Sequence, residues 1–134
     1  MTVILDCNIL VMCLTSRSPY HITYKNLIEG KFEIVVTSDI LLEYEEIILS
    51  KYGEATANNF LTLLNELPNV HFIRVYYKWF LMENDPDDNK YVDCAIAGKA
   101  AYLVSEDQHF RLLKKISFPS VKTISINEFS NLIS

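Results

Sequence analysis

Five short apolar runs recur along the chain with helix-patterned segments between them: Val3-Ile4-Leu5, Ile34-Val35-Val36, Phe72-Ile73-Arg74-Val75, Tyr102-Leu103-Val104 and Val121-Lys122-Thr123-Ile124. This alternation limits the fold more than any other feature. Each run is too short for a helix and rich enough in β-branched or aromatic residues for a strand. The intervening segments carry helix punctuation. Ser18-Pro19 reads as an N-cap followed by proline at the first helical position, opening a helix that runs to Glu29 before Gly30. Thr37-Ser38 caps a helix with Ile40, Leu41, Tyr44, Ile47 and Ile48 at helical spacing, ended by Gly53. Phe60 to Leu67 makes another, closed by Pro68, and Asp85-Pro86 starts one that continues through Ala101. Ile9–Leu14 and Glu128–Ile133 add two short helices.

Strands that alternate with helices imply a parallel sheet covered on both faces. The expected fold class is therefore α/β, a three-layer α/β/α sandwich around a central parallel sheet of about five strands. With 134 residues, half of them hydrophobic, and no repeat or linker, residues 1–134 should form a single domain with its own core. No apolar run is long enough to span a bilayer. The start, MTVILDCN, has no basic region or cleavage signal of a secretion leader. Cys7, Cys13 and Cys94 are odd in number and form no CxxC pair, which fits small core residues in a reducing, cytoplasmic setting.

In a parallel sheet with right-handed crossovers, strand ends and the helix starts that follow them share one edge. Carboxylates cluster at those places. Asp6 ends the first strand, Glu43 lies early in the helix after the second, Asp85, Asp87 and Asp88 open the helix after the third, and Glu106 and Asp107 follow the fourth. The charge distribution agrees. Residues 83–107 hold seven acids against Lys90 and Lys99, so this stretch alone accounts for the net charge of −5. A net negative chain looks wrong for a nucleic-acid binder. Divalent cations held by these acids would remove the objection.

The order of these residues resembles the PIN-domain nuclease family over nearly the whole chain. The likeness rests on ILDCNIL at residues 4–10, Glu43 in SDILLEYEEI, DPDDNKYVDCAIAGKAAYLVSEDQHF at 85–110, and the closing strand and helix. Within the family the chain looks most like the toxin components of toxin–antitoxin pairs. The resemblance implies a PIN-like nuclease domain with an acidic quartet of Asp6, Glu43, Asp88 and Asp107, supported by small polar residues at Asn8 and Ser105. It further implies a Mg²⁺- or Mn²⁺-dependent endoribonuclease acting on RNA, a small antitoxin as partner, and a homodimer. One departure stands out: the segment after the fourth strand often reads TGD in the family and reads SED here, which places Glu106 beside Asp107.

The chemistry fits the same residues. Phosphodiester hydrolysis needs an activated water and neutralised phosphoryl oxygens. Hard cations do both and prefer carboxylate ligands. One ion or two would satisfy this. Individual residues also have simpler readings. Asp85 before Pro86 is a good N-cap and Asp87 suits a positive helix start, so both are expected to cap. Asp88 projects from the first turn as a ligand. Asp93, about 140° further round the helix, is expected to support the site or lie at the surface, where it could pair with Lys90, with reaching the metal as the alternative. Glu45 and Glu46 are expected to face solvent. Arg111, Lys114 and Lys115 either contact substrate phosphates or form a solvated face. His21, His71 and His109 show no ligand spacing, which favours packing or surface roles; His109 alone is close enough to Asp107 to touch a substrate. The aromatic segment Tyr76–Met82 could stack on bases, meet a second copy, or pack internally.

Rival classes fail on particular residues. A HAD-type phosphatase needs an aspartate where Asn8 stands. A receiver domain needs an acceptor aspartate ending the third strand. A dinucleotide-binding domain needs a glycine-rich first turn. The remaining alternative is a catalytically silent PIN-fold module that binds RNA or protein, and four mutually repelling carboxylates argue against it.

Overall fold

The computed structural model of the protein describes residues 1–83 and 85–133. Strands β1 (Thr2–Leu5), β2 (Glu33–Val36), β3 (Val70–Phe72), β4 (Tyr102–Val104) and β5 (Thr123–Ile124) form one sheet in the order β3-β2-β1-β4-β5. Every neighbouring pair is parallel. Side chains alternate between faces along a strand, yet Val3, Ile4 and Leu5 are all buried, so the central strand is covered on both sides. The cover comes from helices α1 (Cys7–Leu14), α2 (His21–Ile28), α3 (Ser38–Tyr52), α4 (Glu54–Glu66), α5 (Asn89–Ala97) and α6 (Ile126–Ile133). Among the described residues no helix is long and apolar enough to cross a membrane. The three cysteines are free and buried.

Two helix starts carry side-chain caps, the one at Thr37 as expected and one at Ser125 that starts the last helix two residues earlier than expected. The Thr37 hydroxyl accepts from the Ile40 N–H at 3.3 Å and opens α3. Ser125 and Glu128 form a reciprocal capping box at α6, with Ser125 Oγ accepting from Glu128 N and Glu128 Oε1 accepting from Ser125 N. Elsewhere the boundaries move. Ser18 accepts from the Tyr20 N–H at 3.1 Å and closes a turn, so α2 begins at His21 rather than at Pro19. The third strand is Val70–Phe72, two residues earlier than its β-branched run suggests. It pairs with Ile34, Val35 and Val36, and β2 ends there, leaving only Ile73 to donate to the Val36 carbonyl. Residues 73–82 then run without regular structure. The helix opened by Pro86 begins as a 3₁₀ turn, Pro86–Asp88, and α5 stops at Ala97 instead of Ala101. Lys99 takes a left-handed φ of 53°, and the Ala100 N–H reaches back to the Ala95 carbonyl. That is a Schellman stop. Gly98 is required there for space: a Cβ on it would lie 3.0 Å from both methyl carbons of Val35.

Candidate metal centre

Asp6 leaves the C-terminal end of β1 and its backbone N–H donates to the Val104 carbonyl at 3.1 Å. It is 5% exposed, deep for a carboxylate. The Ser105 hydroxyl, at the end of the neighbouring β4, donates to Asp6 Oδ2 at 2.8 Å. The same oxygen of Ser105 accepts from the Asp107 N–H at 2.9 Å. One serine therefore fixes both the Asp6 rotamer and the turn that carries Asp107. Burial pushes the Asp6 carboxyl above its ordinary range, outweighing the Ser105 hydrogen bond.

Glu43 stands on the first half of α3, half-buried beside Tyr44, while Glu45 and Glu46 face solvent as the helical wheel requires. The Tyr44 hydroxyl is buried and donates to the Leu5 carbonyl, tying α3 to the strand end next to Asp6. The Glu43 carboxylate takes a hydrogen bond from the Tyr91 hydroxyl and an ion pair from Lys90, both on α5. Burial raises Glu43, but the Lys90, Tyr91 and Cys7 hydrogen bonds outweigh it, so Glu43 ionises below its ordinary range.

The strongest electrostatic tension lies at Asp88. Its Oδ2 is buried and has no hydrogen-bond partner among the described residues. Burial, followed by the charges of Asp85, Asp107 and Asp6, pushes its carboxyl up to about 7. One ligand atom each from Asp85, Asp88, Asp107 and His109 falls within 4.8 Å of the others, and Asp6, Cys7 and Glu43 form a second such group. An orphaned carboxylate oxygen amid further carboxylates is what a hard divalent cation would complete. The donor set therefore fits Mg²⁺ or Mn²⁺.

A PIN-domain family model matches residues 2–109. The chain belongs to the PIN-domain family. No curated protein matches it. Among solved structures it is similar to VapBC2 from Rickettsia felis, crystallised bound to a DNA fragment from their promoter, at 17% identity over 93% of this chain and 98% of that one. The TM-score is 0.63. At that identity the likeness speaks for the fold.

The other residues singled out in this PIN domain take differing places. Ser105 is built into the centre, whereas Asn8 is exposed on the first turn of α1. Asp93 is 5% exposed and does not pair with Lys90, which Glu43 has taken. Its Oδ1 instead accepts from the Trp79 N–H at 3.1 Å and anchors the irregular 73–82 segment, helped by Asn89, whose Oδ1 accepts from the Met82 N–H at 2.8 Å. Asp85 does not cap: it makes no side-chain cap hydrogen bond and turns toward Asp88 and His109. Asp87 is exposed, and its carbonyl accepts from Lys90. Glu106 does not enter the centre either; its Oε1 accepts from the Ile126 N–H at 2.8 Å at the start of α6. Negative charge there suits the positive helix end. Arg111 and Lys114 line a small pocket of about 160 Å³ together with Asp107, and Lys115 is exposed beside them. On the Glu43 side a larger groove of about 820 Å³ runs between α3, the 73–80 stretch and α5. Sequence reasoning gave least weight to Asp85, Cys7 and His109. The Asp107-x-His109 spacing was the available signal, since the Asp107 carboxylate accepts from the His109 N–H at 2.9 Å and turns that ring back toward the acids.

Proposed function

We propose that this PIN domain is a metal-dependent endoribonuclease that hydrolyses RNA phosphodiester bonds and serves as the toxin of a toxin–antitoxin pair. The observation that carries the reading is the buried, unpartnered Asp88 Oδ2 facing carboxylates delivered by other segments of the chain. Asp6, Glu43, Asp88 and Asp107 would hold Mg²⁺ or Mn²⁺. When bound, the ion supplies an acidified water and positive charge against the phosphoryl oxygens. The chain's own groups do the rest. Ser105 holds Asp6 and the Asp107 turn in mutual register. Tyr91 and Lys90 fix Glu43 at the groove wall. Arg111 and Lys114 stand beside Asp107 and take flanking phosphates of the substrate, with Lys115 extending the cationic stretch.

The solved neighbour is a VapBC2 assembly, which supports a second protein as partner. The groove beside Glu43 suits a basic, partly apolar antitoxin segment. Asp39, Glu46 and Asp87 line it, and Tyr76 and Phe80 supply apolar rims. The resemblance also supports a homodimer, which light scattering across a concentration series tests.

The decisive experiment is cleavage of single-stranded RNA by purified protein with Mg²⁺ or Mn²⁺ and with EDTA, beside Asp6→Asn and Asp107→Asn variants. Metal-dependent cleavage lost in both variants is expected. Undiminished cleavage in chelator, by protein cleared of contaminating nuclease, overturns the mechanism.

A further inference from the structure

Four carboxylates suffice for the quartet that the sequence pattern supplies, yet the centre holds more donors than that. His109 Nδ1 lies 3.4 Å from Asp85 Oδ2, 3.5 Å from Asp107 Oδ1 and 4.0 Å from Asp88 Oδ2. The ring lies beside these acids with its side chain 57% exposed. Two features hold it there. The Asp107 carboxylate accepts from the His109 backbone N–H, and Phe110, the next residue, is buried with its ring edge-on to Tyr91. No other histidine competes. His71 pairs with Glu33 at the far edge of the sheet, and His21 Nδ1 bonds the Cys13 carbonyl.

We propose that His109 and Asp85 are ligands of the metal centre, added to Asp88 and Asp107, and that the imidazole biases the centre toward Mn²⁺ over Mg²⁺. This rests on the reading of the acidic cluster as a metal site. Three oxygen donors alone would not separate the two ions strongly by chemistry. A nitrogen donor does, because imidazole suits transition metals while Mg²⁺ keeps oxygen ligands and water. The orphaned Asp88 Oδ2 supplies the vacancy in hydrogen bonding that an ion would fill, independently of the histidine. The donor atoms already lie within 4.8 Å of one another. Two donors about 2.1 Å from one ion can be no more than about 4.2 Å apart. A pair at the 4.8 Å limit would have to close by about 0.6 Å, shared between its two side chains.

The test uses the full chain and reads binding rather than cleavage. Mn²⁺ is titrated into metal-free wild type, His109→Gln, Asp85→Asn and Asp88→Asn by calorimetry, with Mg²⁺ titrated in parallel. Pulsed electron paramagnetic resonance of the Mn²⁺ complexes looks for modulation from a directly bonded ¹⁴N. Wild type should show the nitrogen signal, and His109→Gln should lose it together with about tenfold in Mn²⁺ affinity, while Mg²⁺ affinity stays within about twofold. Asp85→Asn should weaken both ions. Absence of the nitrogen signal in wild type, or equal losses for both ions in His109→Gln, overturns the proposal for the histidine. Unchanged binding of both ions in Asp85→Asn overturns it for Asp85. If Asp88→Asn also leaves Mn²⁺ binding intact, the acidic cluster is not the metal site and the underlying functional reading fails with it. His109 is largely exposed, so a melting curve within a few degrees of wild type is expected for His109→Gln, and His109→Asn serves as a second variant.

Discussion

Replacing Asp88 by Asn should stabilise the metal-free protein at alkaline pH and leave it unchanged in acid. The Asp88 carboxyl ionises near pH 7 in the folded chain against an ordinary value of 3.8, because it is desolvated and faces Asp85, Asp107 and Asp6. Above pH 7 the folded state carries that charge at a cost the unfolded chain does not share. Below about pH 4 the group is protonated in both states and contributes nothing. Between the two, the folded chain holds a proton that the unfolded chain has released, so stability falls as pH rises, by about 1.4 kcal/mol per pH unit. The whole window corresponds to about 4 kcal/mol. The side chain is only 14% exposed but borders open groove, and solvent screening reduces the working figure to about 2 kcal/mol. For a chain of this length that is about 6 °C in melting temperature. Thermal unfolding in EDTA at pH 8 and pH 4, for wild type and Asp88→Asn, reads it directly. The variant should melt about 6 °C higher at pH 8 and within about 1 °C at pH 4. Saturating Mn²⁺ should raise wild type and not the variant. A variant that melts lower at pH 8, or by an equal margin at both pH values, would show that Asp88 carries no such burden.

Three further outcomes follow from single contacts. Ser105→Ala removes the hydroxyl that joins Asp6 to the Asp107 turn, so Mn²⁺ affinity should drop about tenfold or more with the far-ultraviolet dichroism unchanged; unaltered affinity in calorimetry would remove Ser105 from the centre. Tyr44→Phe leaves the buried Leu5 carbonyl short of a donor and should cost about 1–3 kcal/mol in urea unfolding; a neutral result would show that another group takes over that carbonyl. Asp93→Ala should free the 73–82 segment without unfolding the sheet. Trp79 is the only tryptophan, so its fluorescence should shift to the red and quench more readily by acrylamide while the melting transition stays single; an unshifted spectrum would mean that the segment is held by other contacts.

The parallel sheet was legible because burial on both faces leaves continuous apolar runs, and Val3-Ile4-Leu5 could hardly be anything else. That carboxylates gather at one sheet edge was legible because strand ends share it, a rule that needs no side-chain geometry; their division into one group with Asp88 and Asp107 and another with Asp6 and Glu43 was not. What escaped was decided by partners distant in sequence. Phe72–Val75 looks like a strand by propensity, but β2 offers backbone groups only as far as Val36, so the pairing register ends at Phe72. Asp85 before Pro86 has the form of a cap, yet its backbone φ of −141° and ψ of 87° send the carboxylate toward the acids instead of the helix start. Asp93 was placed near Lys90 by helical spacing alone. Glu43, on a helix 48 residues from Tyr91 in sequence, captured Lys90, and the backbone of Trp79 captured Asp93. Glu106, the residue that departs from the family pattern, has its role in the first turn of α6, which local sequence around Asp107 does not reveal.

The stretch from 73 to 82 divides the molecule along a line that the sheet order repeats. Everything before it supplies β1, β2 and β3, which are mutual neighbours; everything after it supplies β4 and β5. The two sets meet at one strand pair, β1 with β4, in the register Val3 to Tyr102, Ile4 to Leu103 and Leu5 to Val104. Asp6 and Glu43 belong to the first half, Asp88 and Asp107 to the second. Lys78 is exposed in the connecting stretch, within reach of trypsin. A nick there would leave two fragments, neither holding the full quartet, so that the centre becomes a reporter of their reassociation. Mn²⁺ binding lost on separation and regained on mixing would then measure how well the β1–β4 seam closes by itself.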